Sequence, residues 1–557
     1  MILRTSNRRI RLLLALSLLV FAGMLARAVW LQGVQAGTLG RIASSQHKVT
    51  IEIPAGRGTI SDRSGEPLAI GEQATTVYAD PRQIREPRRV AIAAAKALDL
   101  DANKLYERLA DRRRHFIYVK RKADPTQAAA LERQRLSGLG FYAEELRTYP
   151  QRGVAAHVLG FAGIDNRGLD GLERSLDRLL AGRPGSETIV KDPLGRSIDV
   201  IATRAERPGK NVVLTLDHRL QAQAEQVLRD TVRDSRAKAG TALVLDPQTG
   251  AVLAMATAPG FDLNRFGKAS ADRRRNRAVT DTYEPGSTFK LVTVSAALSE
   301  KLVSPSSRFT LETSIQVADR VIHEHEPRET QRMTVAQILS QSSNVGTITL
   351  AQLLGQPRLV DWIGRFGFGK PSGIDAPGES RGILPSYWSG STIGNVPIGQ
   401  GIAVTPIQMA AAYAAIANRG ILHTPYLVDR VDGARQKRAA SRRVVSRTVA
   451  AQVMTMLRDV VSAEGGTGAL AAVPGYTVAG KTGTAAKPVP GGYSTSKYVA
   501  SFVGVVPAKR PRLVVLVSID EPRTAIWGGV VAAPAFSRIA QYGLQQLEVA
   551  PDALTHR

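Results

Sequence analysis

The stretch Glu284-Pro285-Gly286-Ser287-Thr288-Phe289-Lys290, followed by the apolar Leu291-Val292-Thr293-Val294, decides how the rest of the chain is read. Pro285 and Gly286 make a turn, and Ser287 then opens a helix. Lys290, three residues on, sits one turn away on the same face. A serine hydroxyl is a poor nucleophile until a base takes its proton. A lysine desolvated against an apolar core has its pKa lowered enough to be that base. The helix N-terminus adds positive potential where an oxyanion would form. Alone the pattern is weak, because Ser-x-x-Lys arises by chance on many helices.

Two further motifs give it weight. Ser342-Ser343-Asn344 falls at the break between expected helices over 334–341 and 345–354. There Ser342 can relay a proton and Asn344 can hold a substrate amide. Lys481-Thr482-Gly483-Thr484 lies on a strand expected over 476–484. Gly483 lets a substrate backbone approach the strand edge. Lys481 places a positive charge near a substrate carboxylate and near Lys290, where like charge lowers the Lys290 pKa further. The three motifs in this order, at a helix start, a helix break and a strand, point to a serine acyltransferase with Ser287 as nucleophile.

Around these motifs the chain reads as strands, then helices, then strands. A helix is expected from Asp217, a plausible N-cap, to about 236, followed by a hairpin turning on Asp246-Pro247-Gln248-Thr249-Gly250. The stretch 287–460 reads as mostly helical. Strands over 476–484, 498–506 and 513–519 and a helix over 534–547 close the sequence. That order suggests an α+β unit over 217–550, an antiparallel sheet covered by a helical cluster. Before it, 45–210 reads as a separate unit, with amphipathic helices over 84–138.

The first residues set the address. Arg4, Arg8, Arg9 and Arg11 precede an apolar run expected to span a membrane over 12–32, leaving 1–11 as a cytoplasmic tail. A cleaved signal peptide is the rival reading, but Gln32-Gly33-Val34-Gln35-Ala36-Gly37 matches a small-residue cleavage site poorly. The 557 residues include 43% hydrophobic and 22% charged positions, a folded globular profile, with a net charge of +26. Outside the cytoplasm the arginine clusters at 112–114, 273–275 and 435–447 suit anionic lipid and wall polymers rather than nucleic acid, although solvated faces and loops are the better reading of each single cluster. Cysteine is absent, which excludes disulfides and thiolate metal sites. His323-Glu324-His325 would place both rings on one strand face, and without a third ligand nearby it reads as a solvated strand rather than a metal site.

The chain resembles the class B penicillin-binding proteins, and among them the septal cell-division D,D-transpeptidase of Gram-negative bacteria, the penicillin-binding protein 3 type. The resemblance runs through residues 284–290, 341–344, Gly399-Gln400-Gly401 with Thr405-Pro406, 464–468 and 480–485. In the first unit, residues 57–69, 147–150 and 168–173 resemble the non-catalytic, dimerisation-type pedestal. Phe289 departs mildly, standing where many relatives carry a smaller aliphatic residue. The resemblance implies a five-stranded antiparallel transpeptidase sheet of the serine β-lactamase-like kind behind an elongated α+β pedestal and one transmembrane helix.

It also implies a reaction. Ser287 attacks the carbonyl between the two terminal D-alanines of a peptidoglycan stem peptide, Lys290 serves as base, and Ser342 passes a proton to the leaving amine. Asn344 completes the catalytic set, while Lys481 with Thr482, Gly483 and Thr484 holds the substrate. The N–H groups of Ser287 and Thr484 would form the oxyanion hole. The activity implied is a serine-type D-Ala-D-Ala transpeptidase of the carboxypeptidase class of hydrolases, inhibited by β-lactams and needing no cofactor or metal. Implied partners are lipid-linked or nascent glycan strands, a membrane glycan polymerase, other division proteins and the inner membrane, with the catalytic unit periplasmic. Arg57 and Glu173 are expected on a face that docks such partners.

Other readings fit less well. A β-lactamase would need a water-activating glutamate downstream of Ser342-Ser343-Asn344, and none of that pattern is seen. A bifunctional glycan synthase would need acidic catalytic groups in 45–210. A β-lactam sensor would need an intracellular signalling domain. A non-catalytic division scaffold would not need Ser287, Lys290 and Lys481 together. The elongation-specific transpeptidase of the lateral wall shares the chemistry, and resemblance alone separates it.

Overall fold

A computed structural model describes residues 3–35, 37, 48–191, 197–326, 328–462 and 465–553. Ala36 of the cleavage-site reading, the expected pedestal start at 45 and Glu464 of the 464–468 signature lie outside these residues. Contacts divide the chain into two units, residues 1–56 with 182–208, and residues 57–181 with 209–557.

The first unit contains the helix Leu3–Val29, continued by a π-helical turn over Trp30–Val34. Arg8–Val34 is the one helix among the described residues long and apolar enough to cross a membrane. Its leucines and Phe21 are exposed, as on a helix whose solvent is lipid. The unit also holds a three-stranded antiparallel sheet, ordered Lys48–Ile53, Gly185–Lys191, Ser197–Arg204.

The second unit is built on a five-stranded antiparallel sheet ordered Val252–Ala258, Ala239–Leu245, Leu513–Asp520, Gly492–Val506, Ala479–Val489. Side chains alternate across a strand, and here each face meets its own core. Leu243, Leu245, Val514 and Leu516 pack with Ile407, Met409 and Tyr413 of the helix Pro406–Ala417. Val244, Val515 and Val517 pack with Leu220, Ala224, Phe536 and Ile539 of the helices His218–Asp234 and Gly528–Gln546. Burial on both faces explains why these strands read as continuous apolar runs rather than alternating ones. Each such side chain contributes about 1.5–3 kcal/mol. Asp217 caps its helix as expected, accepting from the Arg219 and Leu220 N–H groups.

Three expectations are corrected. The last helix starts at Gly528, not at Pro534, which lies inside it. Its first N–H is held by the Thr484 hydroxyl of the edge strand, a contact distant in sequence that outranks the local preference of proline for a first turn. Within 84–138, the helices Pro87–Leu98, Ala102–Ala110 and Pro125–Glu132 form as expected, but the strand Ile117–Ala123 intervenes. Ile117, Val119 and Ala123 face inward there, a period-two signal hidden among helical ones. The middle of the chain is interrupted by short hairpins, including Ser314–Val317 paired with Arg320–His323.

A second, seven-stranded sheet runs from Ala434–Arg435 through Val428–Val431, Val212–Leu214, Ile60–Ser61 and Pro67–Ala79 to Ile117–Ala123. Leu139–Thr148 also pairs with Pro67–Ala79. Beside this sheet lies a buried ionic cluster. The Glu173 carboxylate, 0% exposed, accepts from Arg57 Nε and Arg147 Nε at 2.7 Å each, and from Tyr149 Oη at 3.3 Å. Arg57 donates further to Asp177 and to the Asn166 and Glu173 carbonyls. Arg57 and Glu173 are therefore internal tethers and not a docking face, contrary to expectation. Arg57, Arg147 and Glu173 are all buried, and desolvated charges of opposite sign need one another.

Two stability outcomes follow from these buried acids. Glu173→Gln leaves two buried guanidinium groups short of counter-charge and is expected to cost about 3–5 kcal/mol, read from denaturant unfolding. Glu225, on the helix His218–Asp234, accepts from Gln221 Nε2 and the Ala155 N–H, and burial lifts its carboxyl from 4.5 to about 7. Between those values the folded chain holds a proton that the unfolded chain has released, so this group stabilises at low pH and loses that contribution as pH rises to about 7. Glu225→Gln is expected to remove this slope and to melt higher than the parent above pH 7, by thermal unfolding across pH.

Candidate active site

Ser287 lies on a 3-10 turn, Gly286–Phe289, that runs into the helix Lys290–Ser299, so the serine opens the helical segment as expected. The turn is fixed from below. Tyr413 Oη, buried, donates to the Thr288 carbonyl at 2.9 Å, and Thr288 Oγ1 donates to the Pro285 carbonyl at 2.7 Å. Phe289 is fully buried against Phe368, with ring centroids 5.2 Å apart, which accommodates the larger residue at this position. The Gly286 N–H donates to the Gly399 carbonyl at 3.1 Å. A Cβ on Gly399 (φ +80°) would fall 2.2 Å from the Gly286 carbonyl oxygen, so the two backbones touch with no room for a side chain.

Lys290 is fully buried. Its ammonium donates to the Ser342 carbonyl at 2.6 Å, to Asn344 Oδ1 at 2.7 Å and to Ser342 Oγ at 3.3 Å. All three bonds go to one turn, between the helices Val335–Ser340 and Asn344–Leu354. Ser342 adopts φ +62°, a left-handed conformation that costs a non-glycine residue roughly 1–2 kcal/mol. Burial, then the charge of Lys481, push the Lys290 pKa well below 10.5, against an opposing pull from Glu324. Burial alone takes Lys481 to about 7. The expected electrostatic pairing of the two lysines is thus present.

Lys481, Thr482, Gly483 and Thr484 lie on the edge strand Ala479–Val489, which begins later and runs further than expected. Lys481 Nζ reaches the Thr482 carbonyl and hydroxyl at 3.4 Å each, and Thr482 Oγ1 pairs with Thr467 Oγ1 at 2.8 Å. A Cβ on Gly483 would lie 2.4 Å from Ser501 Oγ and 3.0 Å from the Pro285 carbonyl. Glycine is needed here to bring the strand against the serine turn, a closer reason than the substrate approach anticipated.

Ser287, Ser342, Asn344, Thr482 and Thr484 line one cleft of about 690 Å³. Lys290 and Lys481 are buried, and Gly483 packs against the serine turn. The structure therefore assembles all eight sequence-selected residues around a single site. It also corrects the reading of His323-Glu324-His325 as a solvated strand. The strand stops at His323. Glu324 turns inward, its carboxylate accepting from Ser343 Oγ and from the Asn344 N–H, while His325 lines the cleft edge-to-face with Trp527 at 4.6 Å. Sequence reasoning missed Glu324, His325 and Trp527. The one available signal was an acid flanked by histidines just after a short apolar strand. Among the described residues, no group of histidines and acids is arranged to hold a metal.

Residues 240–541 match the penicillin binding protein transpeptidase domain, and residues 52–214 match the penicillin-binding protein dimerisation domain. The chain is 34% identical to the peptidoglycan D,D-transpeptidase FtsI of Escherichia coli, covering 98% of this chain and 93% of that protein. It is 35% identical to the probable peptidoglycan D,D-transpeptidase PenA of Neisseria meningitidis, covering 98% and 94%. The crystal structure of penicillin binding protein 3 from Mycobacterium tuberculosis, complexed with aztreonam, superposes with a TM-score of 0.71 at 32% identity, covering 90% of this chain and 98% of that one.

The backbone contact under the serine turn predicts a sharp steric outcome. Gly399→Ala must displace either the Gly286 carbonyl or its own segment, in a conformation alanine resists, and is expected to destabilise by about 2 kcal/mol or more, measured by thermal unfolding.

Proposed function

The chain belongs to the class B penicillin-binding proteins, and from that membership we propose that it crosslinks peptidoglycan stem peptides at the division septum by serine acyl transfer. The observation that carries the reading is Lys290. It is a fully buried lysine whose neutral form burial favours, held by Ser342 and Asn344 one turn from Ser287. A neutral amine there can accept a proton. A charged one cannot.

Ser287 Oγ attacks the carbonyl joining the two terminal D-alanines, and its proton passes to Lys290. The oxyanion is held by the N–H groups of Ser287 and Thr484, the first at a helical N-terminus. Collapse breaks the C–N bond, Ser342 gives its proton to the departing amine and is reprotonated by Lys290 across their 3.3 Å contact, and D-alanine leaves. The acyl-Ser287 ester is then attacked by an amine of a neighbouring stem, whose proton passes to the now neutral Lys290; the ester C–O bond breaks, Lys290 returns that proton to Ser287 Oγ, and an amide crosslink is left. Lys481, Thr482 and Gly483 hold the substrate's terminal carboxylate and backbone along the edge strand. A β-lactam follows the first half of this path and stops at the ester.

Residues 45–210 form the pedestal and 217–550 the catalytic domain in this reading. The span over Arg8–Val34 anchors the chain in the inner membrane, with the basic N-terminal residues inside and the cleft in the periplasm. There it meets glycan strands, a membrane-embedded glycan polymerase and other division proteins.

The test is covalent labelling of the full chain in detergent by a fluorescent penicillin. A stable label is expected on the parent and none on a folded Ser287→Ala variant. An unlabelled but folded parent would overturn the catalytic reading in favour of a scaffold.

A further inference from the structure

Lys290 has its three hydrogen bonds on one strained turn, so whatever holds that turn sets the position of the base. Two anchors are local. Ser343 caps the helix Asn344–Leu354, its Oγ accepting from the Gly346 N–H at 2.9 Å, and the Ser343 N–H donates to the Ile338 carbonyl. The third comes from outside. Glu324 follows the hairpin strand Arg320–His323, is tied to the Thr313 carbonyl through its own N–H, and has a side chain only 2% exposed. One carboxylate oxygen accepts from Ser343 Oγ and the other from the Asn344 N–H at 2.8 Å. Beside it, Asn344 Nδ2 donates to the His323 carbonyl at 3.2 Å, which leaves Oδ1 turned to Lys290.

We propose that Glu324 is a positioning residue for acyl transfer, its carboxylate clamping Ser343 and Asn344 so that the Ser342–Asn344 turn presents Lys290 to Ser287. The inference rests on the serine acyl-transfer reading and deepens it. A carboxylate is needed because two donors converge on it from one turn, and only an ionised carboxyl offers two acceptor oxygens. Burying that charge is costly, and its cationic neighbour in the ion-pair geometry, Arg328, stands 3.9 Å away. The two short bonds to the turn account for its retention.

Glu324 also carries charge toward the base. The charged and titratable groups facing Lys290 are Lys481 on the edge strand, and Glu324, His325 and Arg328 in the segment after the hairpin, with Glu326 acting on His325. Lys481 and Arg328 lower the Lys290 pKa and Glu324 opposes them. The acyl-transfer rate rises with pH as Lys290 loses its proton. Removing the Glu324 charge lowers that pKa and moves the acid limb of the rate profile to lower pH. Loosening the turn lowers the plateau, because a misplacement near 1 Å costs on the order of 100-fold.

The experiment measures penicillin acylation of the full chain against pH for parent, Glu324→Gln and Glu324→Asp, with final label stoichiometry counting folded sites. Glu324→Gln is expected to reach full stoichiometry roughly 10- to 100-fold more slowly, with its acid limb displaced to lower pH. Glu324→Asp keeps the charge and is expected to keep the parental limb while recovering part of the plateau. A Glu324→Gln variant as fast as the parent overturns the inference. So does one whose loss is matched by lost stoichiometry with an unmoved limb, since that is a folding defect. Labelling that survives Ser287→Ala marks failure of the serine reading itself, a separate result.

Discussion

The desolvation of Lys290 is the constraint on which the rest of the catalytic unit depends. A buried ammonium is so unfavourable that the site must either pair it or let it go neutral. The structure offers carbonyl and amide oxygens, which accept a hydrogen bond from either form, and sets a second buried lysine nearby, which favours the neutral one. Among the described residues, no carboxylate touches Nζ. Glu324 is kept one residue away, bonded to the turn and not to the lysine. In the proposed acyl transfer, a direct ion pair would fix the proton on Lys290 and leave Ser287 without a base.

Such burial needs walls on every side, and the sheet supplies them. Each central strand divides its side chains between two cores, one shared with the helix that carries Tyr413 and one with the two terminal helices of the domain. The edge strand then closes against the serine turn through Gly483, and the last helix is tied to that strand by Thr484. The cleft, Lys290 and Ser287 are thus held by the same packing.

Much of this was legible in the sequence because the chemistry is encoded in short contiguous motifs. Ser287 and Lys290 are related by one helical turn, Asp217 caps its own helix, and Gly250 ends a two-strand hairpin. These are local rules. What escaped was nonlocal. Glu324 meets Ser343 from 19 residues away, Gly528 takes its cap from Thr484, and Arg57 meets Glu173 across 116 residues. The strand Ile117–Ala123 escaped for another reason, because its two-residue period is short and flanked by stronger helical ones. Arg57 and Glu173 show the converse hazard: a charged motif reads as surface until the fold supplies its counter-charge.

The closeness of backbone to backbone beneath Ser287 bears on how such a site changes over generations under an inhibitor. Where Gly399 meets Gly286, no side chain takes part, so no single substitution can tune the spacing gently. Variation there is all or nothing. The rim differs: His325, Gln331, Leu470 and Trp527 line the cleft and bear side chains that substitution can exchange one at a time. Selection by drugs is therefore channelled away from the reacting atoms and toward the entrance, where a change can discriminate a bulky inhibitor from a slender peptide while the acyl-transfer machinery stays as it is.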